Sequence, residues 1–173
     1  MFPSSDREAA EPQLPAGVQL ARMSQRAVGA AFDYVLLTLL VAPLSILVYV
    51  NGAKREITAD EVIVVSAAFV LLGTAYATVS VALWGRTLGK LFLRCKVVRV
   101  DTGGPTGWWY AAIRALIVSL AWAIPYLALA AAMVVYGYAL VDPRQQGLHD
   151  KAAGTLVITT QPAAAPADAP SPG

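Results

Sequence analysis

Charge is what this 173-residue chain has least of: Asp, Glu, Lys and Arg make up 14% of it, where soluble domains carry about 25%. With 57% hydrophobic residues and a positive mean hydropathy, that shortage excludes an ordinary soluble domain and places the chain in a membrane. A net charge of +2 is too small for an electrostatic hold on nucleic acid, so no nucleic-acid partner is expected. Cysteine and histidine are nearly absent too. One Cys and one His exclude an internal disulfide and cannot supply the four ligands of a structural zinc site. No metal and no cofactor is expected. No nucleophile stands in a pattern with a base, so an enzyme is not expected either.

Long apolar runs are present, and they draw the map. Ala27 to Val50 would form a helix of about 36 Å, enough for a tilted crossing of a roughly 30 Å hydrocarbon core. Pro43 inside it frees a backbone carbonyl, which membrane helices tolerate. Val62 to Trp84 is a second run without a charge, and residues 51–61 form a short polar connection. From Gly85 to Trp108 the charge is strongly positive, with Arg86, Lys90, Arg94, Lys96 and Arg99 against Asp101. Together with Arg22 and Arg26, this predicts a multi-pass protein with the loop and the N-terminus cytoplasmic. The long third apolar segment, Trp109 to Val141, is too long for one crossing and short for two. A helical hairpin turning at Pro125 is favoured over a surface helix followed by one crossing. Leu91 to Val100 and Thr155 to Thr160 have β-prone composition and predict a short strand pair, which requires both on one side. The expected fold class is therefore an all-α membrane protein, a small bundle of transmembrane helices with a short cytoplasmic β-like element. Residues 1–21 and the Ala/Pro-rich 161–173 read as disordered tails around a membrane domain over 22–160. Alanine and arginine usage leans toward a GC-rich bacterial genome and hence a bacterial plasma (inner) membrane.

The candidate functional residues are the few charges at membrane depth. Asp33 lies inside the first apolar run, where an unpaired carboxylate costs about 2.5–3.5 kcal/mol on insertion scales. Arg26 shares its helix face, about 10.5 Å away along the axis, too far for a simple ion pair. Equal depth in neighbouring helices predicts that Asp33 pairs with Arg114, with Thr78 or Tyr76 as a hydrogen-bond donor. Asp150 is the natural partner for Arg26. Gly85-Arg-Thr-Leu-Gly89-Lys90 has the outline of a phosphate-binding loop but is one residue short, and Leu91 stands where the magnesium-binding hydroxyl belongs. A tight turn whose Arg86 and Lys90, with Arg94 and Lys96, reach phosphates of anionic lipids is the better reading. His149 beside Asp150 has no partner nucleophile and reads as a hydrogen-bonding residue.

In this order, Arg26, Asp33, the Gly85–Lys90 turn, Arg94 to Val100, Arg114 and Leu148-His149-Asp150-Lys151 resemble the RDD family of membrane proteins. Arg26 and Asp33 match its arginine and first aspartate, and Asp150 looks like its second. The resemblance covers about residues 22–160. It implies an integral membrane protein for which transport of an unknown ligand, or sodium–proton antiport, has been suggested. Two functional readings follow. One is a non-catalytic subunit or scaffold of a larger membrane complex, packing on another membrane protein or on itself through small-residue faces such as Ala128 to Ala132. The other is a proton-coupled cation antiporter or small-solute transporter that uses Asp33.

Overall fold

A computed structural model of the chain describes residues 19–52, 56–123 and 128–160. The first long helix, α1 (Met23–Gly52), exceeds the expected Ala27–Val50 at both ends, where polar side chains bond to its backbone. Gln25 accepts from the Arg22 amide at 3.0 Å, which satisfies a group that a helix start leaves unpaired, and the Asn51 side-chain amide folds back to donate to the Leu47 carbonyl at 2.8 Å. Pro43 is carried within it. The second helix, α2 (Ala59–Trp84), opens on a reciprocal capping box between Thr58 and Glu61 and closes on Gly85, whose φ of 69° suits a residue without a Cβ. Both helices are long and apolar enough to cross a membrane, and only 11% and 6% of their apolar windows are buried within the molecule. Their remaining faces suit lipid, since apolar area of that extent on a water-soluble monomer is rare. The molecule is an all-α membrane protein carrying one small sheet.

After α2 the chain makes a short helix, α3 (Leu88–Phe92), turns through Arg94 at φ 52°, and enters β2 (Cys95–Arg99). The strand expected from Leu91 thus begins later: the apolar Leu91 and Phe92 belong to α3. Next come α4 (Gly107–Ala123) and α5 (Ala128–Gly137), a 3-10 turn at Tyr138–Leu140, α6 (Leu148–Ala152) and β3 (Thr155–Thr159). α4 leaves from the sheet and packs against α5, while α6 packs against α4 and leads into β3. The third apolar segment therefore goes out and returns, as a hairpin does. Pro125, the expected turn, lies outside the described residues. At 1.5 Å per residue α4 spans about 26 Å and α5 about 15 Å, each short of a roughly 30 Å core.

The strand pair is present and antiparallel, with Val97 opposite Val157 and Cys95 opposite Thr159. It has a third member. β1 (Gln19–Leu20) pairs with the other edge of β3, giving the order β1-β3-β2. The expected unstructured lead-in thus yields its last residues to the fold, and Ala21 is fully buried. The chain beyond residue 160 and before 19, including the rest of both expected tails, lies outside the described residues. A third strand supplies what a lone pair lacks. Ala21, Cys95, Val97 and Val157 join Val81 of α2 and Ala111 of α4 in one apolar cluster, each buried Val contributing about 1.5–3 kcal/mol. The sheet thereby fastens the first described residues, the α3–β2 segment and the end of the described chain to the same end of the bundle.

Candidate functional site

Two buried carboxylates organise that end. Asp33, on α1 and 9% exposed, is enclosed by the turn that follows α2. Its Oδ1 accepts from the Tyr76 hydroxyl at 2.8 Å and from the Gly89 amide at 2.9 Å. Its Oδ2 accepts from the Thr87 hydroxyl at 2.5 Å and lies 4.0 Å from the Lys90 ammonium. Tyr76 in turn accepts from the Leu88 amide at 2.9 Å. The Gly85–Lys90 sequence is shaped for this. Gly85 ends α2 in the left-handed region, Thr87 and Lys90 supply side chains, and Gly89 lets α3 touch α1. A Cβ on Gly89 would collide with the Gly29 carbonyl oxygen and come within 3.1 Å of the Asp33 carboxyl carbon. The motif is a carboxylate cradle rather than a phosphate loop.

Asp150, at 0% exposure, is the second centre. It pairs with Arg26 through Oδ2 and with Arg114 through Oδ1. Thr155 of β3 donates to Oδ1 at 3.2 Å, and His149 Nε2 stands 3.5 Å from Oδ2. Arg26 also donates to the Gln145 carbonyl, which a φ of 52° at Gln145 helps present. The loop that carries Gln145 is held by Asp142, which accepts from the Arg144 and Gln146 amides at 3.1 Å each and from Lys151 at 3.0 Å. Arg26 of α1, Arg114 of α4 and Asp150 of α6 thus join three elements through one carboxylate.

Burial and charge pull against each other at this end. Burial works to raise the Asp150 carboxyl, but Arg114, His149, Arg26 and Lys90 around it win and hold it at about 2. Burial drives His149 down to about 3, so its ring is neutral near pH 7. Lys90 is pushed down to about 8 by burial first and by Arg114, with Asp33 opposing. Three cations, Arg26, Lys90 and Arg114, face two carboxylates, Asp33 and Asp150, which leaves one positive charge in excess. Beside them lie two spaces that share Lys90, Arg114 and Tyr136 in their walls. A small chamber of about 70 Å³ is bordered by Asp33, Tyr76, Thr87, Lys90 and Arg114. A larger cavity of about 360 Å³ between α1, α4 and α5 is bordered by Arg26, Lys90, Arg114 and His149 at one end and by apolar side chains elsewhere. Among the described residues no three His, Cys, Asp or Glu side chains gather as metal ligands would.

Several sequence expectations meet their residues here. Arg26 and Asp150 pair, and Tyr76 donates to Asp33. The predicted Asp33–Arg114 pair does not form: the Gly85–Lys90 turn already occupies both carboxylate oxygens, and Arg114 reaches Asp150 instead. Thr78 is no donor to Asp33. It stands two residues from Tyr76, about 200° round the helix, and its buried hydroxyl has no hydrogen-bond partner among the described residues. Of the four expected lipid-phosphate contacts, Lys90 turns inward beside Asp33, with its side chain 11% exposed. Arg94 is exposed and Arg86 and Lys96 half-buried. The Gly85–Lys90 turn and Thr155 are named from sequence, but Thr87, Gly89 and Thr155 are given no part there in holding a carboxylate. The signal for the first two was the glycine-flanked turn itself, which offers hydroxyl and amide donors as readily to a carboxylate as to a phosphate.

The model of the RDD family matches residues 20–154, from β1 to the threshold of β3. No curated protein and no solved structure matches the chain.

Proposed function

The chain belongs to the RDD family, and from that membership we propose that it is a non-catalytic subunit or scaffold of a larger complex in the bacterial plasma membrane, with the sheet and the N-terminus cytoplasmic. One observation carries the reading: within the apolar spans, charged groups are confined to the end next to the sheet. Beyond Asp33 in α1, from Val62 to Trp84, and from Ala115 to Val141 the chain has no Asp, Glu, Lys, Arg or His. Intramembrane ionisable groups mark ion pathways, and here they form a terminus-fastening network instead of a series across the bilayer. The excess of Lys and Arg in the Gly85–Trp108 loop supports the cytoplasmic placement. The test is cross-linking in native membranes followed by mass determination. A partner, or a second copy, at fixed stoichiometry is the expected result. Cation-driven proton flux by the purified protein in proteoliposomes, abolished in a folded Asp33→Asn variant, would overturn the reading.

That second outcome belongs to the alternative, a proton-coupled cation antiporter or small-solute transporter centred on Asp33. It is favoured by Lys90, 4.0 Å from Asp33 and held at about 8 by burial, where it can exchange a proton near neutral pH. The 70 Å³ chamber beside the pair has room for an exchanging water or ion.

A further inference from the structure

The larger cavity is polar at one end and apolar at the other, and the chain directions explain why. α1 and α4 both run inward from the sheet, so Arg26 and Arg114 come early and Val35 and Trp122 come deep. α5 runs back, so Met133 is deep and Ala139 and then His149 are shallow. All of these border the same space. Val35 and Met133 are 55% and 60% exposed, so the deep end opens sideways onto the lipid-facing surface. At the shallow end stand Arg26, Lys90 and Arg114 without a carboxylate in the wall, since Asp33 borders only the inner chamber.

Two details narrow what fits. Arg114 uses only Nη1 toward Asp150 and Thr155, so its Nε and Nη2 donors have no acceptor among the described residues. His149 is 2% exposed, and its Nδ1 has no hydrogen-bond partner among the described residues. A lone pair aimed at the Asp150 carboxylate would be repelled, so Nε2, 3.5 Å from it, carries the ring proton. Nδ1 is closed off beside Gly147, so the neutral ring adds no charge to the cavity wall. The site asks for an anion of one negative charge and an apolar chain. A phosphate diester is monoanionic and matches the single excess positive charge.

We propose that this cavity binds one anionic phospholipid of the phosphate-diester type, for which phosphatidylglycerol is the probe, with its phosphate held by Arg26, Lys90 and Arg114. An acyl chain leaves past Val35 and Met133. This inference rests on the membrane setting and not on the subunit reading; it stands or falls whether or not a protein partner exists. It also differs from surface attraction of lipid by the basic loop, because the binding groups are buried and the stoichiometry is one.

The experiment is lipid retention by the purified full-length chain, measured by native mass spectrometry after incubation with phosphatidylglycerol, phosphatidylethanolamine or soluble glycerol 3-phosphate. One phosphatidylglycerol per chain is expected, with phosphatidylethanolamine weaker by about tenfold or more, since its ammonium meets three cations. Lys90→Gln, which removes the excess charge, is expected to lower retention by a similar factor while Lys90→Arg keeps it. Ala31→Trp, at an exposed position on the cavity wall, is expected to weaken the lipid without unfolding the chain. Equal retention of both lipids, full competition by glycerol 3-phosphate, or an Ala31→Trp protein that binds as wild type would each overturn the proposal.

Discussion

At the scale of single residues, Asp150 is the most consequential side chain. Removing the charge from a buried carboxylate that serves two arginines leaves both cations uncompensated, and breaking such a pair costs about 3–5 kcal/mol. Asp150→Asn is therefore expected to lower the unfolding midpoint in detergent sharply, or to prevent accumulation of folded protein. Asp33→Asn is expected to be milder, about 1–3 kcal/mol, because the amide oxygen can still accept from Tyr76 and Gly89 while its NH₂ faces Thr87 and Lys90. The same measurement across pH separates two groups. His149 has its folded pKa depressed from 6.5 to about 3, so the unfolded chain binds the extra proton first. Its contribution is complete above about pH 6.5 and is lost as pH falls toward 3. Asp150, depressed from 3.8 to about 2, contributes fully above its unfolded value and loses its share only below about pH 4. From pH 7 downward the midpoint should start to fall near pH 6.5, and His149→Gln should remove that decline while leaving the one below about pH 4. A midpoint that stays flat from pH 7 to 4.5 in the wild type would contradict this assignment. Asp33 and Arg26 were legible as important from a charge in an apolar run. Their partners were not, because equal depth in two helices does not specify which faces meet.

Among elements, α3 shows how backbone contact positions chemistry. Gly89 and Gly29 meet so closely that a Cβ on Gly89 has no room, and the Gly89 amide gains its bond to Asp33 only at that approach. Gly89→Ala is expected to push α3 from α1 and destabilise by about 1–3 kcal/mol, the usual cost of overpacking, together with loss of the Asp33 bond. Gly104→Ala, on an outer turn, serves as a control near zero in the same thermal assay. The sheet offers a second test. Cys95 is fully buried, and burial pushes its thiol up, so maleimide is expected to modify it only on unfolding. Labelling of the folded protein at the rate of a free thiol would contradict the β2–β3 packing. The two main strands were visible in their β-branched composition. β1 was not, since Gln19 and Leu20 carry little strand signal and pair only because the edge of β3 is there to receive them.

For the whole molecule, the sheet ties the described ends together. β1 and β3 are hydrogen-bonded neighbours, so residues 19 and 160 lie on one side of any membrane the long helices cross. Reporter fusions at both termini are accordingly expected to give the same compartment, the cytoplasm on the orientation proposed above. Opposite signals would exclude the hairpin path of α4 and α5. The network also closes at this scale: α1 reaches α6 through Arg26–Asp150, and α4 joins it through Arg114.

Composition and apolar run length determined by themselves that this is a membrane protein with two long spans, because the bilayer admits few alternatives to an apolar helix of sufficient length. The positions of Arg26, Asp33 and Asp150 likewise marked the charged residues that matter, since charge at such depth is costly. Tertiary structure alone decided how they pair, that the Gly85–Lys90 turn encloses Asp33, and that the cations border one shared cavity. Those outcomes depend on helix rotation, on a glycine–glycine approach and on sheet pairing across most of the chain, contacts for which local sequence carries no distance.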